Sequence, residues 1–316
     1  MSVLALDLGG TKLASAVFSS RGRIVGSAAI PLDKRKGEDV GELIVDEIRR
    51  CQDSAEEQIE SIGVSIPGIY RHRTGTVWAP NIGGWEDFPL HQVIQKMYPG
   101  LPVAIDNDRA CSMFGEQWRG NAQGCSDAVF LAVGTGIGAG ILSGGHILRG
   151  AGDIGGAAGW MALKMPFHEK YALCGCFEYY ASGAGLARLA TELMNDDSGY
   201  GGVLRQHHHL VAHHVFEAHA LGDPVARKVF AECVCMWGMA AANFVSLFNP
   251  EKLIFGGGLF GPATRFIPSI YEEALKWAQP ISIHQVSFEA SALGTQAAIY
   301  GAAQIAFQRI NKSVRP

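Results

Sequence analysis

The sequence predicts an α/β protein of two similar lobes flanking a cleft, and three observations predict it. An apolar strand, Val3-Leu-Ala-Leu-Asp-Leu8, runs into Gly9-Gly10-Thr11-Lys12 and on into a second apolar strand, Leu13 to Phe18. The pattern returns farther along: Val129 to Val133 meets Gly134-Thr135-Gly136, and the chain continues through Ile137 to Leu142, a small glycine turn and a third strand. A third glycine run, Gly256-Gly257-Gly258, follows Lys252-Leu-Ile-Phe255 and precedes a helical pattern. Two strand–turn–strand units in one chain imply two lobes of one build facing one nucleotide. Glycine at these turns lets backbone approach phosphate oxygens where a Cβ would intrude. Thr11 adds a hydroxyl donor, Lys12 a cation, and Asp7 is placed to hold a hydrated Mg²⁺.

The remaining elements follow in order. Arg23 to Ile30 reads as the third strand of the first unit, after the small turn Ser20-Arg21-Gly22. Val40, Leu43, Ile44, Ile48 and Cys51 keep a helical period, giving a helix over 40–55. Ile62 to Ile66 is a buried strand closed by Pro67-Gly68, and a loop runs from there to Pro89. A short helix over 90–97 and the strand Val103–Ile105 come next. Asp106-Asn107-Asp108 closes that strand and caps a helix over 109–119. In the second lobe, helices are predicted over 182–195, 211–221, 224–248 and 263–278. A last helix over 294–310 follows the final strand and is placed back on the first lobe. The domains are therefore 1–120 plus 298–316, and 121–297.

The 316 residues suit two domains, each able to bury its own core. With 48% hydrophobic and 18% charged residues and a formal charge of −4, nothing points to nucleic acid or a membrane surface as partner. No uninterrupted apolar run reaches the roughly 20 residues that span a bilayer. The chain enters a strand at once, so no signal peptide is expected. Seven cysteines, mostly in apolar stretches, fit reduced thiols in a cytoplasmic protein.

Several motifs together resemble the ROK family (repressors, open reading frames and kinases), whose sugar kinases have the actin/hexokinase-like, ribonuclease H-like fold. They are Asp7-Leu-Gly-Gly-Thr-Lys12, Pro67-Gly68, Pro80-Asn81 with Gly84-Trp85, Asn107-Asp108, Gly134-Thr-Gly-Ile-Gly138, Gly175-Cys-Phe-Glu178 with Ser182-Gly183, Gly256-Gly-Gly258 and Leu293-Gly294. The family's repressors carry a winged helix ahead of the first hairpin. With that hairpin starting at residue 3, a kinase is expected. The resemblance implies ATP-dependent phosphorylation of a hexose-like hydroxyl, with ATP and Mg²⁺ as cofactors and a homodimer as assembly. It makes Asp108 the general base, with Asp106 the competitor. Asn81 and Asn107 become ligands of the sugar hydroxyls, since amides both donate and accept, Glu178 matches the family's sugar-binding glutamate, and Gly68 joins them. Gly9, Gly10, Thr11, Lys12, Gly134, Thr135 and Gly136 take the phosphates, and Gly256, Gly257 and Gly258 the adenosine.

The chain departs from that pattern in one region. The family carries Gly-Glu-x-Gly-His after the second glycine loop; here the segment reads Arg149-Gly-Ala-Gly-Asp-Ile-Gly-Gly-Ala-Ala-Gly-Trp-Met161. Without gaps, Ala157 takes the glutamate position and Trp160 the histidine position. A three-residue shift puts Asp153 and Gly156 there instead. Trp160 and Asp153 are both candidates for the acceptor site. The family's zinc ligands are reduced to His168, Cys174 and Cys176 at unusual spacing, and no metal site is expected. Losing a carboxylate that grips sugar hydroxyls predicts an acceptor other than plain glucose, such as an amino, N-acyl or deoxy sugar or a cyclitol. The histidines at 207–209, 213 and 214 read as an exposed helix start.

Two rivals remain. Gly150-x-Gly152-x-x-Gly155 and Gly256-x-Gly258-x-x-Gly261 match the bare dinucleotide fingerprint of a dehydrogenase, without a completed βαβ unit. The other is a non-catalytic sugar-binding sensor of the same fold; Asp108 and all three glycine loops argue against it, because pure binding needs no intact base.

Overall fold

A computed structural model of the chain describes residues 2–313. They form two compact units: one holds the chain up to Gly124, Ile147–Gly155 and the segment from Gln296 on, the other Cys125–His146 and Gly156–Thr295. Ile147–Gly155 falls in the first unit, whereas the sequence places it in the second lobe.

The first unit is built on β1 (Ser2–Leu8), β2 (Lys12–Ser19), β3 (Ile24–Pro31), β4 (Ile59–Ile66) and β7 (Val103–Asn107), in the order β3-β2-β1-β4-β7. β1 pairs antiparallel with β2 and parallel with β4, and β4 pairs parallel with β7. Both faces of β1 are covered, and its alternation sorts the side chains. Leu4, Leu6 and Leu8 enter a core with Val40, Ile44 and Ile48 of α1 (Gly37–Ser54) and with Leu90 and Ile94 of α2 (Leu90–Met97). Val3 and Ala5 enter another with Ile299, Ala302, Ala303 and Ala306 of α9 (Ala297–Ser313). This helix crosses α3 (Asp108–Arg119) at backbone contact: a Cβ on Gly301 would stand 1.7 Å from the Cys111 carbonyl oxygen, and one on Gly115 2.2 Å from that of Ala297.

The second unit repeats the topology. β8 (Ala128–Val133), β9 (Ile137–Ser143), β10 (His146–Ile147), β11 (Lys252–Gly256) and β12 (Ser287–Ala290) run in the order β10-β9-β8-β11-β12. Again the first strand pairs antiparallel with the second and parallel with the fourth. The mixed pairing excludes the doubly wound dinucleotide fold, and with it the dehydrogenase reading. Val129, Leu131 and Val133 pack on a core formed with α4 (Cys176–Ala181), α5 (Gly183–Asp196), α6 (Ala212–Ala220), α7 (Pro224–Phe248) and α8 (Ile267–Ala274). With a mean hydropathy of 1.4 over its most apolar stretch, α7 is apolar enough to cross a membrane, but most of that stretch is buried in this core. Its start is fixed by Asp223, whose Oδ1 accepts the amides of Val225 and Ala226 at 2.9 and 3.0 Å while Oδ2 accepts the Tyr200 hydroxyl at 2.6 Å.

Two sequence assignments need correction here. The stretch after Pro67-Gly68 is not a plain loop: β5 (Ile69–Arg71) and β6 (Thr76–Trp78) form a hairpin around Gly75, at φ +73°. Three-residue strands are too short to show an alternation. The helix expected over 263–278 begins as a 3-10 turn, Pro262–Phe266, and only Ile267–Ala274 is α-helical. Pro268 lacks an N–H and suits a first helical turn, so it restarts the helix rather than continuing it.

Candidate active site

In the first unit the register of three parallel strands gathers the polar residues. Asp7 of β1 stands opposite Ser65 of β4, and Ser65 opposite Asp106 of β7. All three lie near carboxyl ends of parallel strands, where α/β folds place ligands. The Ser65 hydroxyl donates to Asp7 Oδ1 at 2.7 Å. Burial pushes the Asp7 carboxyl up to about 6; the Ser65 hydrogen bond opposes this, the negative charge of Asp108 adds to it and Lys12 opposes it. At the adjoining turn the Gly9 amide donates to the Lys12 carbonyl at 2.9 Å, closing the hairpin over which a phosphate would lie.

Asp108 is the first residue of α3, and Asn107 is its cap: Asn107 Oδ1 accepts the Ala110 amide at 2.9 Å. The competitor Asp106 is therefore not the cap. Its Oδ1 accepts the Asn107 amide at 2.9 Å and its Oδ2 is held by Arg149, so Asp106 is 2% exposed and fully engaged. The Asp108 side chain is half exposed. It sits in a recess, and the protein packed around it raises its pKa, against the pull of the Arg109 guanidinium and amide. Arg109 in turn donates to the Gly68 carbonyl at 3.1 Å. Gly68 has φ +92°, and a Cβ there would lie 2.1 Å from the Trp78 carbonyl oxygen, so the Pro-Gly pair serves this close approach. Gly10, Thr11 and Asn81 line one cavity of about 600 Å³ with Lys34 and Lys36, which joins the phosphate hairpin to the expected acceptor amide.

Asn107 is not a free amide. Both atoms of its side-chain amide are engaged, the oxygen by the cap and Nδ2 by Asp106 at 3.3 Å. Asp153 is likewise committed: its carboxylate accepts the His72 amide at 3.1 Å and meets His72 Nδ1 at 3.0 Å.

In the second unit a cavity of about 950 Å³ is lined by Gly134, Thr135, Gly183, Arg188, Leu210, Phe216, Gly258, Leu259 and Pro262, among others. Its lining combines apolar side chains, glycine backbone and a guanidinium, a mixture that suits a nucleoside. Gly134 is held by its own amide to the Gly136 carbonyl at 2.9 Å and by the Gly183 amide on its carbonyl at 2.7 Å. A Cβ at Gly258 would meet open space, so a side chain there would occupy room a ligand could use. The other two glycines of that run serve the fold. Gly256 is a strand residue whose Cβ would lie 2.2 Å from the Phe130 ring, and Gly257, at φ +83°, crosses 2.5 Å from the Val133 carbonyl oxygen.

Glu178 stands in the first turn of α4 and accepts the Ile137 amide at 2.7 Å. Burial raises its pKa, opposed by that amide and by Arg188. Gly159 packs on its side chain, and Gly175 on the Trp160 backbone, so the 3-10 turn Ala158–Trp160 and the start of α4 meet. This brings Trp160 near Glu178, with the indole 58% exposed. Among the described residues no cluster of three or more His, Cys, Asp or Glu could hold a metal. Cys174 receives an Arg188 contact at 4.0 Å, while Cys176 points to the Lys164 carbonyl, also at 4.0 Å. His207 and His214 stack at 3.7 Å, and His213 lines the large cavity.

Sequence reasoning missed Arg109, Arg149, His72 and Arg188. Only Arg109, next to Asp108, had a positional signal; the others reach their partners across distant segments.

Two five-stranded sheets of one topology, each carrying a glycine turn at its strand ends, with a carboxylate at a helix start, fit the actin/hexokinase-like fold of carbohydrate kinases. The chain belongs to the ROK family, which it matches over residues 3–309. It is 31% identical to the glucokinase of Halalkalibacterium halodurans, across 98% of this chain and 96% of that protein. It superposes on the crystal structure of a ROK hexokinase from Thermus thermophilus with a TM-score of 0.82 and 29% identity, covering 99% of this chain and 100% of the other. A ROK glucokinase from Streptomyces griseus, in complex with glucose and AMPPNP, gives 0.78 and 29% identity over 98% and 100%. Relatives named glucokinases give no support to the expectation that plain glucose is excluded.

Proposed function

We propose that the protein transfers the γ-phosphoryl group of Mg-ATP to a hydroxyl of a hexose, with Asp108 as general base. The observation that carries this reading is Asp108 itself: a half-exposed carboxylate in a recess of raised pKa, at a helix start beside the phosphate hairpin. A carboxylate of raised pKa takes up a proton more readily than an ordinary aspartate, as a general base must. The glycine turn Gly134-Thr135-Gly136 and the Arg188 side chain would hold the donor in the large cavity, with the base moiety against Leu210 and Phe216. Asp7, partly buried and reluctant to ionise, would hold the hydrated Mg²⁺, whose charge favours the carboxylate form. Asn81 and Glu178 are the acceptor ligands. Asn107 acts by shaping the turn, and Asp153 is committed to His72.

The relative with bound glucose and AMPPNP supports a hexose acceptor and a nucleotide donor, and glucose heads the acceptors to be tested. Ala157 and Trp160 are where selectivity among hexoses would arise, because an indole offers a face and no hydroxyl partner. The test is ADP release with Mg-ATP over a panel of glucose, other hexoses, amino sugars and N-acetyl sugars, with Asp108→Ala as control. Turnover on at least one hexose that disappears in the control supports the reading. Sugar-dependent thermal stabilisation without turnover on any member would instead make the protein a sensor.

A further inference from the structure

Arg149 lies on Ile147–Gly155, a segment that packs with the first unit although the chain on either side of it belongs to the second. Its guanidinium places two nitrogens, Nε at 3.1 Å and Nη2, on one oxygen of Asp106. The other oxygen of Asp106 receives the amide and the side-chain nitrogen of Asn107, at 2.9 and 3.3 Å. Asn107 then caps the helix that begins with Asp108. A chain of polar contacts thus runs from Arg149 to the backbone that carries the base. Four residues on, Asp153 is held in the left-handed region at φ +58° and grips the backbone and ring of His72. The His72 ring is set edge-on against Tyr70 at 4.8 Å, and its Nε2 lies 3.9 Å from Asp106. Two clasps on one short segment therefore converge on one nearly inaccessible carboxylate.

We propose that Arg149 is a positioning residue for the Asp106-Asn107-Asp108 turn, with the Asp153–His72 pair as the second clasp that seats its segment. The role rests on Asp108 being the base. A carboxylate whose two oxygens each accept two hydrogen bonds is held against rotation, which restrains the turn it anchors. Small errors in placing a base are expensive, since roughly an ångström can cost about 100-fold in rate.

The experiment compares Arg149→Ala, Arg149→Lys and Asp106→Asn with the double variant Asp106→Asn/Arg149→Ala. Each is read by steady-state kinetics, melting temperature and hydrogen exchange of the Asn107 and Ala110 amides. Arg149→Ala should lose roughly 10- to 100-fold in kcat, with KM for ATP moved by no more than about twofold. Lysine, which keeps the charge without the planar fork, should restore part of it. The double variant should be no slower than the worse single one, because both changes break one contact. Exchange at Asn107 and Ala110 should quicken in every variant. Removing Arg149 alone strands the enclosed Asp106 charge; should that variant not fold, the lysine and double variants carry the test. A mere tether would lower the melting temperature and leave kcat unchanged, which would overturn the proposal, as would additive losses in the double variant. If Asp108→Ala proves fully active, the base assignment fails separately. Unchanged exchange in Arg149→Lys would then refute the positioning role by itself.

Discussion

Asp7 and Asp108 are carboxyl groups that the fold makes reluctant to lose their protons, and both carry consequences for pH. For Asp108 the ionised form is the base, so kcat/KM should fall as pH is lowered through its raised pKa. The acid limb should therefore lie above the 3.8 of an ordinary aspartate. Asp108→Asn should lose about 10²- to 10⁴-fold in kcat and abolish that limb. Asp7 titrates near 6 in the folded protein against 3.8 when unfolded, so the folded state binds the extra proton between these values. Its ionisation thus opposes folding above about pH 6, and the ligand-free protein gains stability from it as pH falls towards 4, by at most about 3 kcal/mol. Asp7→Asn should melt higher than the wild type at pH 7.5 without Mg²⁺, and the gap should close towards pH 4. A variant that melts lower at both pH values would refute this. The three aspartates 7, 106 and 108 were each legible in the sequence as carboxylates at strand ends. What separates an enclosed anchor from an open base was not legible, because that depends on Arg149, distant in the chain.

Among the elements, α3 and α9 show what a glycine is for. Gly301 and Gly115 let two helix backbones touch, and α3 is the helix that starts with Asp108. Gly301→Ala should destabilise by about 1–3 kcal/mol, as overpacking does, read as a lower denaturant midpoint at unchanged slope. Lower activity at full folding would show further that the crossing sets the base's position. Helices α5, α6 and α7 lie within a residue or two of where their sequence patterns put them; Ser182 caps α5, and Asp223 with Pro224 starts α7, so local signals set those two starts. The hairpin β5–β6 and the break at Pro268 were missed. Short strands carry no period, and a proline inside an apolar pattern can either end or begin a helix.

On the scale of the whole molecule, the two sheets share one strand order, and that was readable from the doubled strand–glycine–strand pattern. The placement of Ile147–Gly155 was not, since ion pairs rather than periodicity decide it. The large cavity is lined by second-unit residues alone, and Asp108 belongs to the first. Donor binding and acceptor chemistry should therefore be separable. ADP should raise the melting temperature of Asp108→Ala as much as that of the wild type, whereas Gly258→Phe should abolish the shift. Equal shifts in both variants would remove the donor from this cavity.

The covering of β1 by α9 also bears on how the protein is made. A ribosome releases β1 well before α9, with the whole of the second unit in between. Until then Val3, Ala5 and Phe18 lack the partners that bury them, and the first unit cannot close while the second, a nearly continuous stretch, can already fold. Maturation of the nascent chain should thus run from the middle outwards, with the base-bearing unit finished after the other.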